Sequence, residues 1–296
     1  MPKAIRAVLT GDMHVGGVVS LADPSVTRAD QWSVVREQLF HWWTEAATGP
    51  WANPDLLVLN GDLTEGVNRK ENALGLWAQD PDDQVRHAVE LTEMWGAKQK
   101  VVTRGSGYHG KVGNIPVEEH FAREAKAMPY PNQPKGKERM HSGHQWYLTL
   151  NGRTFHIQHH VPVSKVWHYR TTPLARELLY SKVNDALRYD PGGFKTTVTV
   201  RSHAHYFNYV EYGSTRGWVL PCWKGLDEFL LSRGGVAISP DIGFVGVEIS
   251  PEGEIYFEKH LWPIELAQKP PHVVIGGPPR GGKRQRSRAG RPAGKR

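Results

Sequence analysis

Apolar residues arrive along this chain in short blocks that stop at glycine and aspartate. The run Ala4 to Leu9 carries Ile and Val and ends at Thr10-Gly11-Asp12, the pattern of a buried strand entering a loop. Residues 55–60 do the same, ending at Gly61-Asp62. Between them, residues 29–47 place Trp32, Val35, Leu39 and Trp42/Trp43 at helical spacing, and Thr48-Gly49-Pro50 stops the helix. The alternation repeats: 82–97 is helical through Val85, Val89, Leu91, Met94 and Trp95, and 100–104 is a strand entering Gly105-Ser106-Gly107. From Gln145 the pattern turns to paired strands, with 145–150 and 154–158 forming a hairpin about Asn151-Gly152. A helix over 174–187 precedes further strands at 196–200, 206–212, 217–220, 243–249 and 254–258. Repeated strand-helix-strand units followed by strand pairs predict an α/β chain, with a two-layered mixed β-sheet sandwich flanked by helices.

Residues 129–143, rich in Pro, Lys and Gly, read as a surface loop, and no internal repeat is present. Beyond about Leu266 the Pro/Gly/Arg composition cannot supply a core. The expected division is therefore one domain over 1–265 and a disordered basic tail over 266–296.

Charge sharpens that division. Eight Lys/Arg and no acid lie between Arg280 and Arg296, so of the formal +7 the other 279 residues carry −1. The pI near 9.4 belongs to the tail, and a basic folded surface is not implied. The tail, with Arg284, Arg286 and Arg288, is the expected nucleic-acid-binding element. A single cysteine, Cys222, permits no internal disulfide and no Cys-based zinc site, so a metal must be held by His, Asp or Glu. The opening residues lack the apolar core of a signal peptide, and no stretch approaches the ~20 apolar residues of a membrane span. A soluble cytoplasmic protein with no membrane partner is expected.

The candidate chemistry sits where predicted strands end. Asp12-Met13-His14, Gly61-Asp62, Ser106 to His109, His159-His160 and Ser202-His203-Ala204-His205 each follow a strand. Loops at the carboxyl edge of a sheet are where α/β proteins converge on ligands. Carboxylates with neutral imidazoles suit a pair of divalent cations, one carboxylate bridging both. Of His159 and His160 only one should face the metal, because neighbours on an extended chain point opposite ways. His159 is preferred as the ligand and His160 as a substrate-pocket residue. Arg170 is a candidate phosphate grip. Asp241 and Trp223 read either as borders of the site or as a turn and a core residue.

In order and spacing these motifs resemble those of the calcineurin-like metallophosphoesterases, whose pattern is D-x-H, G-D, G-N-H, a strand-ending His, and G-H-x-H. The resemblance covers residues 4 to about 260 and implies an α/β/β/α fold. It implies that Asp12, His14, Asp62 and His205 hold one metal. The second would take Asp62, His203, His159 and the third block, where Ser106 stands in place of the family's Asn. His109 comes three residues after Ser106, similar to a G-T/S-x-x-H form in bacteriophage-type members, and the resemblance gives it the role of protonating the leaving alkoxide or stabilising transition-state charge. The implied activity is a dinuclear phosphoesterase that attacks phosphoester bonds with a metal-bound hydroxide. Manganese is the first choice of metal, with iron and zinc open. Phosphodiesterase or nuclease action on nucleic acid or nucleotides is favoured by the tail. The alternative is an attenuated nucleic-acid-binding or scaffold protein on the same fold, to which Ser106 points.

Overall fold

The computed structural model describes residues 3–67, 75–107, 109, 111–112, 115–131, 133, 138–164, 166–187, 195–227 and 239–268. The elements are β1 (Ile5–Thr10), α1 (Ser33–Thr48), β2 (Leu56–Asn60), α2 (Pro81–Glu93), β3 (Gln99–Thr103), β4 (Lys111–Val112), β5 (Ile115–Pro116), α3 (Val117–Glu124), β6 (Ser142–Gly143), β7 (Gln145–Leu150) and β8 (Arg153–Gln158). They continue with α4 (Thr172–Leu187), β9 (Val198–Arg201), β10 (Asn208–Tyr212), β11 (Thr215–Val219), β12 (Ile242–Ile249) and β13 (Ile255–Trp262).

Two mixed sheets carry the fold. The first has the order β13-β12-β1-β2-β3-β6, parallel from β1 to β6 and antiparallel at β12 and β13. The second has the order β10-β11-β9-β8-β7. Alternation along the strands decides what each face meets. Ala7, Leu9, Leu56 and Val58 point between the sheets, onto Phe155, Ile157, Val198, Val200 and Trp218. Val8, Leu57 and Leu59 point the other way, into a core with Leu39, Trp43, Leu91, Trp95 and Phe121 of the helices. On the far side α4 sets Leu174 against Val219 and Tyr206. The layers are helix, sheet, sheet, helix, as the sequence pattern predicts.

Two departures have physical causes. The described residues of 129–143 are mostly loop, yet β6 among them adds a strand to β3. Buried Glu119 of α3 holds it there, accepting hydrogen bonds from the backbone of His141 and Ser142 and from the Ser142 hydroxyl at 2.7 Å. Helix α3 itself goes unpredicted because its eight residues span barely two turns, too few for a periodic signal. At the C-terminal side, Ala267 is buried and the Gln268 side chain closes two hydrogen bonds with the Leu226 backbone. The basic tail, with Arg284, Arg286 and Arg288, lies outside the described residues. Among the described residues no helix is long and apolar enough to cross a membrane.

Candidate metal centre

The carboxyl ends of β1, β2 and β3 in one sheet and β8 and β9 in the other meet at one edge. A buried polar network ties them: the Asn60 amide donates to Ser202 Oγ at 2.8 Å and to the Gln158 carbonyl, and Thr103 Oγ1 donates to Asn60 Oδ1 at 2.6 Å. Over this base the backbone turns sharply. Asp12, His14, Asp62, His203 and His205 all have positive φ, between 48° and 71°. That region costs an L-residue about 1–2 kcal/mol. It persists here because neighbouring segments lock it, as when Asp12 N donates to Gly61 O and His14 N to Asp62 O. Gly61, at φ +78°, is required by close approach as well, since a Cβ there would lie 2.6 Å from His159 Nδ1.

The side chains converge. Asp12, His14 and His205 can bring one ligand atom each within 4.8 Å of one another, as can His14, Asp62 and His109, and Asp62, His159 and His203. Asp62 and His14 are each common to two of these groups, and Asp62 is the carboxylate so shared. His14 Nε2 lies 3.1 Å from His205 Nε2, and Asp12 Oδ1 lies 3.4 Å from His205 Nε2. On the other side His159 Nε2 sits 3.1 Å from Asp62 Oδ2. Its Nδ1 donates to the Asn60 carbonyl at 2.7 Å, which leaves Nε2 as the atom facing the carboxylates. His159 is buried, whereas its neighbour His160 is exposed, with its ring 4.6 Å from that of His203. Ser106 donates to Asp62 twice, from its backbone N at 2.6 Å and its hydroxyl at 3.2 Å. His109 donates from Nδ1 to the Glu65 carbonyl at 2.8 Å and sets its ring edge-on to His14, 4.6 Å between centroids. Arg170 is buried, its guanidinium between the rings of Trp167 (3.8 Å) and Tyr206 (4.6 Å). Trp223 N donates to Asp12 O, and Asp241 N to His205 O.

Three groups escaped sequence reading. Glu65 lies 2.9 Å from His14 Nδ1 and accepts both carboxylate oxygens' worth of contact from buried Lys224, at 3.1 and 3.0 Å. This carboxylate fixes the His14 ring from behind, leaving Nε2 for the site. Lys224 also reaches Asp227 at 3.1 Å. Glu118 accepts from Gly105 N at 3.2 Å, and burial together with the nearby Asp62 charge pushes its carboxyl up to about 7. The one sequence signal for Glu65 is its place three residues after Asp62; nothing local marks Lys224.

The electrostatics are those of a site built around positive charge. Burial opposes ionisation of Asp12 and Asp62, yet the His159 imidazolium beside them holds both carboxyls below the usual range. Burial likewise opposes Glu65, and Lys224 and His14 overcome it. For His203, burial and the His159 charge push the imidazole down to about 4. His109 is lowered by burial and by His14. His159 runs the other way: burial opposes its charge, but Asp62 and Asp12 raise it to about 10. Three buried atoms of the candidate ligands, Asp12 Oδ1, His14 Nδ1 and His159 Nε2, make no aligned hydrogen bond. Buried polar atoms without a partner cost free energy unless something satisfies them, and once His159 Nε2 gives up its proton the donor set fits divalent cations of the kind that take carboxylate and imidazole ligands.

A prediction arises from His159. Without metal it keeps its proton to about pH 10, stabilising the fold below its unfolded value near 6.5 and losing that contribution as pH rises through 10. A cation taking Nε2 must displace the proton, so binding at neutral pH releases it and apparent affinity climbs up to about tenfold per pH unit. Calorimetric titration with Mn²⁺ in buffers of different protonation enthalpy reads the release directly. A heat independent of buffer would remove His159 from the ligand set.

No family model matches this chain, and no curated protein matches it. Among solved structures it is similar to a Vps29 single mutant from Entamoeba histolytica, with 12% identity, a TM-score of 0.40, and 87% of this chain and 99% of that one covered. It is similar to an archaeal phosphodiesterase, with 9% identity, a TM-score of 0.40, and 86% and 100% covered. A third likeness is to a predicted phosphoesterase from Streptococcus pneumoniae, with 10% identity, a TM-score of 0.34, and 88% and 98% covered. At such values the function has to be read from the site itself.

Proposed function

We propose that this protein is a metal-dependent phosphoesterase of the bacteriophage-type calcineurin-like class, acting on phosphodiesters. The observation that carries the reading is Asp62 lying in two ligand groups, while Asp12 Oδ1 and His159 Nε2 are buried beside it without an aligned hydrogen bond. Asp12, His14, Asp62 and His205 would hold one cation, and Asp62, His159 and His203, with Ser106 at the edge, a second. Manganese is the metal to test first, ahead of iron and zinc. Such cations, when bound, neutralise phosphoryl oxygens and acidify a water enough to yield a nucleophile near neutral pH.

The chain's own groups do the rest. Asp12 and Asp62 supply the negative charge that concentrates cations, and Glu65 keeps the His14 ring in one tautomer. With Nδ1–H given to the Glu65 carbonyl, His109 meets substrate through Nε2. To protonate a leaving oxygen there it must carry two protons, which burial and His14 disfavour; the charge of a phosphate nearby favours that form again. His160, exposed beside His203, is placed to meet the substrate from the rim.

Hydrolysis of a generic phosphodiester and a generic phosphomonoester, with Mn²⁺ added and with metal stripped, tests the reading. Metal-dependent turnover with preference for the diester is expected. Bound metal without turnover on either supports the second reading, a nucleic-acid-binding or scaffold protein, to which Ser106 in place of an Asn points. Within the enzyme reading, His109→Ala slows turnover ~10²–10⁴-fold while metal content stays near wild type. The loss is smaller for leaving groups that need no proton. If metal is lost instead, as its grouping with His14 and Asp62 allows, His109 is a ligand. The basic tail is proposed to add nucleic-acid affinity by counterion release, so deleting 280–296 flattens the dependence of binding on salt. Unchanged binding across a salt series would remove the tail from that role.

A further inference from the structure

Exposed apolar side chains are not spread evenly over this molecule. Among the described residues, eight of the twelve large exposed hydrophobic side chains fall between residues 163 and 187. Scattered singly such residues mean little; gathered beside a site they mark a surface that binds something. Four of them, Val163, Val166, Trp167 (65% exposed) and Tyr169 (55%), stand on the loop that leaves His159 and His160 and leads into α4.

That loop is anchored against the candidate metal centre. Val161 packs with Ala204 and Tyr206, on either side of His205, and Arg170 inserts its guanidinium between Tyr206 and Trp167. One face of the Trp167 ring is therefore covered by a cation while the residue as a whole stays mostly in solvent. Beyond it opens a cavity of about 230 Å³ whose walls include Pro162, Tyr169, Pro173, Arg176 and Tyr180. Glu177 also lines it, but its carboxylate pairs with Arg201 at 3.0 Å. From Arg139 to Arg176 the sequence contains no Asp or Glu, and its last third carries Lys165, Arg170 and Arg176. Flat exposed rings beside a proline-walled cavity that Arg176 helps to line match what a polyanion with planar bases requires. Aromatic faces stack on any base, and cations track the phosphates.

We propose that Trp167 and Tyr169 form a stacking platform for the bases of a single-stranded nucleic acid, the strand running from the metal centre along the 161–170 loop toward the start of α4. This rests on the phosphoesterase reading and names its substrate class. A folded duplex keeps its bases stacked on each other and offers these rings nothing, whereas an unpaired strand exposes base faces at no further cost. The clamp of Arg170 holds Trp167 ready before the strand arrives, which lowers the ordering cost of binding.

The test measures binding by the full-length, metal-stripped protein, so that it does not depend on hydrolysis. Fluorescence anisotropy is read with a short labelled oligothymidylate and with an abasic strand of the same length and charge. Trp167→Ala and Tyr169→Ala should each weaken oligothymidylate binding by about 5- to 100-fold and shift abasic-strand binding far less, since alanine removes the ring and not a charge. Trp167→Phe should recover most of the loss. Tyr256→Ala, also exposed but on β13 at the edge of the first sheet, should change neither. With metal restored, the ratio of oligonucleotide to small-diester kcat/KM should fall in the two alanine variants. Equal weakening on both strands, or none, overturns the platform. So does light scattering that shows a dimer in the wild type and a monomer in Trp167→Ala, which would make the surface a contact between copies. Absence of hydrolysis with base-dependent binding intact would sink the phosphoesterase reading and leave the platform standing.

Discussion

Asp62→Asn is expected to abolish the proposed phosphoester hydrolysis and to lower bound metal more than any other single ligand change. The reason is its position. Its carboxylate belongs to the group with His14 and His109 and to the group with His159 and His203, so loss of its charge is felt on both sides of the centre. Asparagine keeps the shape and the acceptor oxygen opposite Ser106 N, so the turn after β2 should survive. A second consequence follows in the metal-free protein: His159 loses its nearest counter-charge, and its pKa falls from about 10 toward the ordinary imidazole value. Metal analysis by plasma mass spectrometry, paired with turnover, checks the first part, and NMR titration of the imidazole checks the second. Normal metal content in an inactive Asp62→Asn variant would contradict a bridging role.

Lys224→Met is expected to destabilise the fold by about 3–5 kcal/mol, although Lys224 touches no candidate ligand. Glu65 is almost fully buried, and Lys224 contacts both of its oxygens. Removing the ammonium strands an ionised carboxylate in the interior, the expensive way to break a buried pair. His14 then becomes the nearest remaining partner of Glu65, with His109 Nδ1 3.9 Å away, so metal competes with a proton held more tightly, and affinity should fall by roughly 10–100-fold. The compensating variant is Glu65→Gln combined with Lys224→Met, which buries no net charge and should recover much of the stability. Denaturant unfolding of the single and double variants measures the coupling, and Mn²⁺ titration measures the site. Additive stability losses in the two would show that the pair acts independently of one another.

Much of the candidate site was legible because its evidence is local. An apolar run that ends in Gly-Asp marks a strand end, and Asp12, His14, Asp62, His159, His203 and His205 all lie within a few residues of one. The choice of His159 over His160 needed only the two-residue alternation of an extended chain, and the burial of one and exposure of the other agree with that alternation. The hairpin of β7 and β8 was equally plain from Asn151-Gly152. Helix α3 was not, being too short to show a period, nor was β6, which exists because Glu119 pins its backbone to a neighbouring helix.

Sequence alone thus determined the longer strands, their faces and the residue types available at their ends, since side-chain alternation and turn chemistry depend on neighbours a few positions apart, while the two-residue strands β4, β5 and β6 left no such signal. Tertiary structure alone decided which of those residues meet. Glu65 and Lys224 are separated by 159 positions, and neither reads as anything but a surface charge until burial removes the water around both. The left-handed turns at Asp12, His14, Asp62, His203 and His205 are imposed by hydrogen bonds from other segments, and no residue type there announces them. The same holds for Trp167 and Tyr169, whose aromatic character suits a core as well as a surface. Only the packing of Val161 and Arg170 against Tyr206 leaves those rings in solvent beside the candidate metal centre.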